Sequence, residues 1–345
     1  MSVLLASLVL GLANPVDRAI DEFINAKQSP GIVVLVKRDG KVVYERAAGY
    51  ANLETETPMS MDSVHELASV SKQFTAAATM RLVESGKLKL SDSLASFVEG
   101  APDSWMGITI EHLLHHTSGL PDYLEGEVDL GKMTTDQFLI ESLRDKALVF
   151  APGEKWEYSN SGYMALGYIV GKVSGSKFGN YVSKELFEPA GMKSAVITNP
   201  LVVLPKRAYG YTKFGKEFRN EALCSPGYSA LGDGMVMASA RDLVAWHDSM
   251  RAGKILGKKS WEYLWTPSAQ SIKNEAPYGG GFGIERAGER PTVSHSGGWL
   301  GTMTFFISDF ASDSCMVILV NCDNADPREL LKVLNESFGF DPQSK

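Results

Sequence analysis

The sequence has little cysteine, and none of it is spaced for metal or redox chemistry. Its three cysteines, Cys224, Cys315 and Cys322, are too few for a disulfide framework in 345 residues, and no two of them form a C-x-x-C pair. A zinc ribbon and a thioredoxin-type redox centre are therefore excluded. A chain of this length can bury a large apolar core without covalent cross-links.

Positive charge is scarce as well. Forty-one acidic residues outnumber 34 basic ones, and no run of Lys or Arg could neutralise several successive phosphates. The sequence therefore predicts no nucleic-acid partner. A hydrophobic share of 44% with a mean hydropathy of -0.08 excludes both a multi-span membrane protein and a disordered chain.

Long apolar runs are missing too. The longest run, residues 3–13, is too short to span a bilayer, so no stable membrane span is expected, but it suits the hydrophobic region of a signal peptide. The first cationic side chain, Arg18, follows this run, whereas a signal peptide normally carries its cations ahead of it. We expect export to the periplasm or the medium. The alternative is a cytoplasmic protein whose N-terminal segment packs on the body.

The N-terminal part of the chain predicts a helix followed by a hairpin. An Asn-Pro pair at residues 14–15 is typical of a helix start, and the helical apolar spacing continues to about Lys27. Two β-branched runs, residues 32–36 and 41–44, then flank an Asp-Gly pair at 39–40. This arrangement favours two antiparallel strands joined by a type I′ turn.

Strand patterns at both ends of the chain enclose a helical middle, and a last helix is predicted after Pro327. We therefore expect an α/β (α+β) fold in which both termini build one antiparallel sheet, terminal helices cover it, and a mostly helical subdomain is inserted. The expected boundaries are 14–66 and 278–345 for the sheet subdomain and 67–277 for the helical one, after the signal-like segment 1–13. A cleft between sheet and helices is the expected site.

Ser69 and Lys72 form an S-x-x-K pattern at the predicted start of a helix. Three positions apart on a helix, the two side chains share a face and can touch. A serine hydroxyl needs a partner to take its proton, and a lysine can do so when burial or positive potential lowers its pKa. The pattern recurs at Ser174 and Lys177 in a predicted loop, so it is weak alone, and the strand-to-helix position favours the first copy.

Tyr158-Ser159-Asn160 lies between a Pro-Gly loop and a predicted helix, which places a phenol and a carboxamide outside the core. The phenol can pass a proton to a leaving group, and a lysine cation beside it would lower its pKa, so we expect Tyr158 and Lys72 to act as a coupled pair. The Asn160 carboxamide can hold a substrate carbonyl. The alternative is a loop tyrosine packed on the wall of the cleft.

His295-Ser296-Gly297-Gly298 lies between two predicted strands. Paired glycines at such a place let a ligand approach the backbone closely, and Gly298 can direct its N–H at an oxyanion. A histidine there is as often a structural hydrogen-bonding residue as a functional one.

Taken together and in this order, the three patterns resemble those of the penicillin-recognising serine hydrolases, specifically the group of class C β-lactamases, D,D-peptidases and serine esterases. The similarity extends over about residues 15–340, because residues 113–120, 230–234 and 239–243 also look like segments of that family. The resemblance implies a β-lactamase/transpeptidase-like fold.

The resemblance also implies a role for each matched residue. Ser69 would be the acylated nucleophile, Lys72 and Tyr158 the proton-transfer partners, and Asn160 a substrate anchor. The backbone N–H groups of Ser69 and Gly298 would form the oxyanion hole. No metal and no organic cofactor is implied.

One departure bears on the substrate. His295-Ser296-Gly297 stands where the family has K-T-G, so an imidazole that is mostly neutral at pH 7 replaces a permanent cation. Attraction for a substrate carboxylate should therefore be weaker and penicillin hydrolysis less efficient. Esterases, aminopeptidases and some D,D-peptidases of the family resemble this His form, which favours simple esters and small D-amino acid amides as substrates. The resemblance implies that His295, Ser296 and Gly297 bind the substrate. The pocket walls are expected to include three aromatic residues, Tyr123, Tyr228 and Trp299.

The expected function is a serine hydrolase that acts through an acyl-enzyme on a small-molecule ester, amide or D-amino acid peptide, as a carboxylesterase or a D-amino acid peptidase or amidase. A class C-like β-lactamase, a D-alanyl-D-alanine carboxypeptidase and a non-catalytic sensor of penicillin or cell-wall peptide are the alternatives. A zinc hydrolase is opposed because His112 and His116 enclose no glutamate, as H-E-x-x-H requires. An α/β-hydrolase is opposed by the absence of G-x-S-x-G.

Overall fold

The computed structural model of the protein describes residues 14–124, 135–197, 203–221 and 232–340. The strands in this part of the chain are β1 (Gly31–Arg38), β2 (Lys41–Asn52), β3 (Thr57–Pro58), β4 (His65–Glu66), β5 (Val196–Ile197), β6 (Tyr211–Phe214), β7 (Glu217–Asn220), β8 (Val236–Ala238), β9 (Gly283–Arg286), β10 (Thr292–Trp299), β11 (Thr302–Asp309) and β12 (Ser314–Val320). The α-helices are α1 (Pro15–Asn25), α2 (Lys72–Glu84), α3 (Ile110–Leu114), α4 (Asp136–Glu141), α5 (Asn160–Ser174), α6 (Phe178–Val182), α7 (Glu188–Ala190), α8 (Ala240–Arg251), α9 (Lys258–Leu264), α10 (Ala269–Lys273) and α11 (Arg328–Phe338).

The two ends of the chain build one antiparallel sheet of seven strands, in the order β3-β2-β1-β12-β11-β10-β9. Strand β1 pairs directly with β12, which joins the N-terminal strands to the C-terminal ones. The expected sheet is therefore confirmed. Asp39 and Gly40 between β1 and β2 both have positive φ, 48° and 80°, as the predicted type I′ turn requires.

The central strands are buried on both faces, which explains why their sequences are continuously apolar. Ile32, Val34 and Val36 of β1 pack in a core with the terminal helices α1 and α11, which also contact each other. Val33 and Leu35 point to the opposite face and join the main core of the helical middle. The sheet therefore lies between the terminal helices and the inserted region, as expected.

The inserted region holds the nucleophile candidate at the start of its most buried helix. Helix α2 is buried along most of its length and packs against α5. The strands β4, β8 and β5 form a small sheet in this region, and β6 and β7 form a hairpin. These strands of two to four residues were not predicted, because so few residues cannot establish an alternating pattern.

The signal-like segment and the subdomain boundaries stay predictions. The signal-like segment 1–13 lies outside the described residues, and the subdomain boundaries at residues 66 and 278 rest on the sequence pattern alone. Within the described residues, none of the helices combines the length and the apolar character needed to cross a bilayer.

Candidate active site

Ser69 lies in a tight turn whose backbone is held in an unusual conformation. A 3-10 turn, Ala68–Ser71, leads directly into α2, and Ala68 has a φ of 47°, a region that residues with a side chain rarely adopt. The turn is fixed from the sheet side because Thr304 of β11 donates a hydrogen bond of 2.8 Å to the carbonyl of Leu67. Backbone strain of this kind persists only where the surrounding structure imposes it, and it is concentrated at functional sites.

Gly297 allows the sheet to approach this turn. A Cβ atom added at Gly297 would collide with the Leu67 carbonyl and the Thr304 hydroxyl. A Cβ added at the next residue, Gly298, would meet no heavy atom within 4 Å, so Gly298 faces open space. The two glycines therefore differ in role. Gly297 is needed because no side chain fits between the sheet and the turn, whereas Gly298 leaves its backbone exposed to the cavity.

Lys72 is fully buried beneath Ser69 and makes three hydrogen bonds. Its Nζ lies 3.1 Å from the Oγ of Ser69, 2.9 Å from the Oδ1 of Asn160 and 2.8 Å from the carbonyl oxygen of Asp233. An ammonium uses its three hydrogens on these three acceptors. If the amine loses one proton, Asn160 and Asp233 can keep its two hydrogens, and its lone pair then faces Ser69. The site is therefore arranged for proton transfer between the lysine and the serine.

Tyr158 stands beside this pair, just before the N-terminus of α5. The Nζ of Lys72 lies 4.9 Å from the centre of the Tyr158 ring, and the tyrosine is 36% exposed. Ser159, the next residue, is the N-cap of α5 and accepts a hydrogen bond from Gly162. The helix start therefore fixes the backbone that carries the phenol. The phenol is accessible from solvent, while the lysine is not.

His116 packs against Tyr158 and holds the backbone on either side of it, a role that the sequence did not reveal. The two ring centroids are 4.5 Å apart, the Nδ1 of His116 accepts a hydrogen bond of 3.0 Å from the N–H of Ser159, and its carbonyl accepts one from the N–H of Glu157. Burial, with Lys72 as a lesser cause, holds the pKa of His116 well below its usual value. His116 is therefore a neutral residue that contacts three consecutive residues around the phenol.

The side chain of His295 is held by hydrogen bonds to protein groups. Its Nδ1 lies 2.6 Å from the carbonyl oxygen of Ser296, which can only accept, so Nδ1 carries the hydrogen and Nε2 accepts from the hydroxyl of Tyr278 at 2.8 Å. Burial lowers the pKa of His295 to about 3. The imidazole is therefore neutral, as expected, but both of its nitrogens already have protein partners, and its contact with substrate stays a prediction.

A cavity of about 240 Å³ opens above Ser69. The residues that line it are Ala68, Ser69, Tyr123, Leu124, Tyr158, Asn160, Asp233, Gly234, Met235, Gly298 and Trp299. Most of the predicted site residues therefore meet in one place. The predicted residues His295, Ser296 and Gly297 do not line this cavity, and Tyr228 lies outside the described residues.

Two aspartates orient the polar groups of the cavity, and neither was singled out from the sequence. Asp122 accepts a hydrogen bond of 3.1 Å from the Nδ2 of Asn160, which leaves the Oδ1 of that amide facing Lys72. Asp233 accepts one of 2.8 Å from the hydroxyl of Tyr123. Asp233 lies in the segment 230–234 that resembles the family, but nothing in the sequence gave either aspartate a role.

One group of side chains among the described residues could hold a metal ion, and a lysine contacts it. His247, Asp248 and Asp313 lie close enough together to share an ion, but the Nζ of Lys37 bridges the two carboxylates at 2.5 and 2.7 Å. The Nδ1 of His116 accepts from the Ser159 backbone. Lys37 therefore pairs with both carboxylates of this cluster.

A serine on a strained turn, a buried lysine one helical turn away and a tyrosine just before α5 match the pattern of a penicillin-recognising serine hydrolase site. Residues 16–336 match the β-lactamase family model. The chain therefore belongs to the β-lactamase family of serine hydrolases. The resemblance inferred from the sequence motifs is confirmed.

Relatives with known structures or names support this assignment. The chain is 31% identical over 321 residues to penicillin-binding protein 4* of Bacillus subtilis (strain 168), covering 87% of this chain and 70% of the relative. It is also 31% identical over 282 residues to a D-aminopeptidase of Brucella anthropi, covering 79% of this chain but only about half, 53%, of that relative. A penicillin-binding protein from Bacillus halodurans has the same fold, with a TM-score of 0.82 at 24% identity over 94% of this chain and 99% of that one.

Proposed function

We propose that this protein hydrolyses small carboxylic esters or D-aminoacyl amides through an acyl-enzyme on Ser69. The observation that carries the proposal is the meeting of Ser69, Lys72 and Tyr158 at one cavity, although the third residue is far from the first two in the chain. Ser69 alone could be a surface serine, but a serine in contact with a buried amine has a partner for its proton.

In the acylation step, the Oγ of Ser69 attacks the substrate carbonyl carbon and its proton passes to the neutral amine of Lys72, directly or through Tyr158. The negative charge that develops on the carbonyl oxygen is stabilised by the N–H groups of Ser69 and Gly298. The bond to the alcohol or amine leaving group then breaks, and that group takes the proton. Lys72 and Tyr158 are again free to accept a proton.

In the deacylation step, a water molecule replaces Ser69 on the acyl group. The same lysine and tyrosine accept a proton from the water, the ester bond to Ser69 breaks, and the proton returns to the serine oxygen. The carboxylic acid product leaves, and the enzyme is restored. One water is consumed for each ester or amide that is cleaved, and no cofactor takes part.

The choice of acyl donors without a carboxylate follows from the charges near the cavity. His295 is neutral and faces Tyr278, so it supplies no cation for a substrate carboxylate. The name of the D-aminopeptidase relative supports an amide substrate. The name of penicillin-binding protein 4* supports the second candidate, binding or slow hydrolysis of penicillin. A neutral His295, which offers no charge to the penicillin carboxylate, makes this the weaker one.

Turnover of a p-nitrophenyl ester distinguishes an enzyme from a sensor that is acylated once. We expect repeated release of p-nitrophenol by the wild-type protein and none above background by Ser69→Ala. A single burst equal to the protein concentration would support the sensor and contradict hydrolase activity. An activity of Ser69→Ala equal to that of the wild type would contradict the assigned nucleophile.

We also propose that residues 1–13 direct export of the protein. The support is the apolar character of this run and the small residues that end it. Expression with this segment in a bacterial host, followed by fractionation and N-terminal sequencing, tests the proposal. Mature protein in the periplasm or medium that begins near Asn14 is expected, and a full-length cytoplasmic protein would contradict it.

A further inference from the structure

Asp233 is a buried carboxylate in the wall of the cavity, and no step of the proposed reaction uses it. Its residue is 7% exposed, and its Oδ2 accepts a hydrogen bond of 2.8 Å from the hydroxyl of Tyr123. The backbone N–H of Tyr123 in turn donates to the hydroxyl of Ser161 at 2.8 Å. The phenol that holds the carboxylate is therefore itself fixed by the start of α5.

The described residues that line the cavity include one acidic residue and no basic one. The acidic residue is Asp233, and none of the other described lining residues is an Asp, Glu, Lys, Arg or His. The cation below the cavity, Lys72, uses its hydrogens on Ser69, Asn160 and the backbone carbonyl of Asp233, rather than on the carboxylate. Burial raises the pKa of Asp233, while the nearby Lys72 and the Tyr123 hydroxyl favour its ionised form and Asp122 opposes it. A buried carboxylate gains free energy from a positive partner in direct contact, and the described residues of this wall supply none.

An imidazole outside the cavity lining does not change this balance. His295, which stands in the place of the family's lysine, is neutral because burial lowers its pKa to about 3. Its Nε2 accepts a hydrogen bond from the hydroxyl of Tyr278. The Asp233 carboxylate would therefore repel a substrate with an anionic group and attract a substrate with a cationic group.

We infer that Asp233, held by Tyr123, binds the ammonium group of the acyl donor, so that the preferred substrates are small amino acid esters and amides with a free α-amino group. This inference rests on the proposed function and narrows its substrate class. A cavity of about 240 Å³ suits an acyl group of a few heavy atoms. N-acylated and carboxylate-bearing acyl donors are disfavoured by the same carboxylate.

Three anilides that differ only at the α-carbon test the inference on the wild-type protein. We compare kcat/KM for D-alanine p-nitroanilide, propionic acid p-nitroanilide and N-acetyl-D-alanine p-nitroanilide. At pH 6.5 the first is expected to exceed each of the others by at least tenfold. Because an α-amino group titrates near pH 8, the ratio of the first to the second should fall as pH rises from 7 to 9. Equal values, or a ratio that does not change with pH, would overturn the inference.

Asp233→Asn tests the residue itself. The amide has nearly the same size and can still accept a hydrogen bond from Tyr123, but it carries no charge. The ratio of kcat/KM for D-alanine p-nitroanilide to that for the propionyl anilide is expected to fall at least tenfold. Asp103→Asn, which removes an exposed carboxylate elsewhere, is the matched control and should keep the wild-type ratio. A ratio that survives Asp233→Asn would overturn the inference, and if this variant does not fold, the pH dependence of the wild-type ratio decides.

The outcomes separate this inference from the proposed function. A wild-type protein that hydrolyses none of the anilides, turns over no p-nitrophenyl ester and forms no adduct at Ser69 contradicts the hydrolase, and the ammonium subsite with it. A protein that hydrolyses these substrates without preferring the free amine contradicts the ammonium subsite alone.

Discussion

The imidazole of His116 lies against the phenol ring of Tyr158, with their centroids 4.5 Å apart and their planes inclined by 33°. The same imidazole accepts a hydrogen bond from the N–H of Ser159. A single buried side chain therefore contacts the ring of the residue that is proposed to move protons and binds the backbone N–H of the residue that follows it. Because His116 stays neutral, it adds no second positive charge beside Lys72.

Two substitutions of His116 separate these contacts. His116→Phe keeps a ring against Tyr158 but leaves the buried N–H of Ser159 without an acceptor, so we expect a loss of about 1–3 kcal/mol in the free energy of unfolding. His116→Asn keeps an acceptor near the position of Nδ1 but loses the ring. If His116 positions Tyr158, both variants should lower kcat about tenfold while KM changes less than threefold, and both should shift the pH profile of kcat. Folded variants with unchanged kcat and pH profile would show that His116 is only structural.

Lys72→Met removes the amine and keeps much of the buried volume. Loss of a general base costs about 10²–10⁴ in rate, so kcat/KM for a p-nitrophenyl ester should fall by that factor. The repeated pattern provides the control, because Lys177 is exposed and lies in the second S-x-x-K copy. Lys177→Met should retain wild-type kinetics. A large loss of kcat/KM in Lys177→Met with little loss in Lys72→Met would show that the catalytic lysine belongs to the other S-x-x-K copy.

Gly297→Ala and Gly298→Ala form a matched pair for stability. The Cβ atom of the first would collide with the Leu67 carbonyl and the Thr304 hydroxyl, whereas that of the second would enter open space. We expect Gly297→Ala to lower the free energy of unfolding by about 1–3 kcal/mol, as overpacking does, and Gly298→Ala to change it by less than about 0.5 kcal/mol. Urea denaturation of both variants measures the difference, and equal losses would refute the close packing of β10 on the turn.

Buried histidines predict loss of stability in acid. Burial lowers the pKa of His65 and of His295 to about 3, whereas each titrates near 6.5 when the chain unfolds. Between these values the unfolded chain binds more protons, so the free energy of unfolding must fall as pH is lowered from about 6.5 towards 3. Each such histidine contributes a slope of up to about 1.4 kcal/mol per pH unit. Denaturation of the wild type and of His65→Gln at pH 4 to 7 measures this slope, which the variant should reduce.

The parts of the fold and site that local patterns specify could be predicted. The turn at Asp39 and Gly40 follows from a dipeptide that favours positive φ, and Ser69 and Lys72 meet because a helix brings residues three apart together. Their meeting with Tyr158 could be expected only from the resemblance to a family. Nothing in a single stretch of sequence brings these segments together.

The remaining parts depend on contacts between distant segments. The direction of the His295 ring depends on Tyr278, seventeen residues earlier, so the sequence pattern placed the residue but not its side chain. Asp233 and His116 acquire their roles from Tyr123 and Ser159, to which no spacing connects them. A search limited to motifs therefore finds the nucleophile and its base but misses the groups that hold them.

Covalent labelling tests the assignment of Ser69 most directly. The wild-type protein is incubated with a fluorophosphonate, its intact mass is measured, and the modified peptide is identified. We predict one adduct per chain, located on Ser69, and no adduct on Ser69→Ala under the same conditions. An adduct on another residue, or equal labelling of the wild type and Ser69→Ala, would contradict the account.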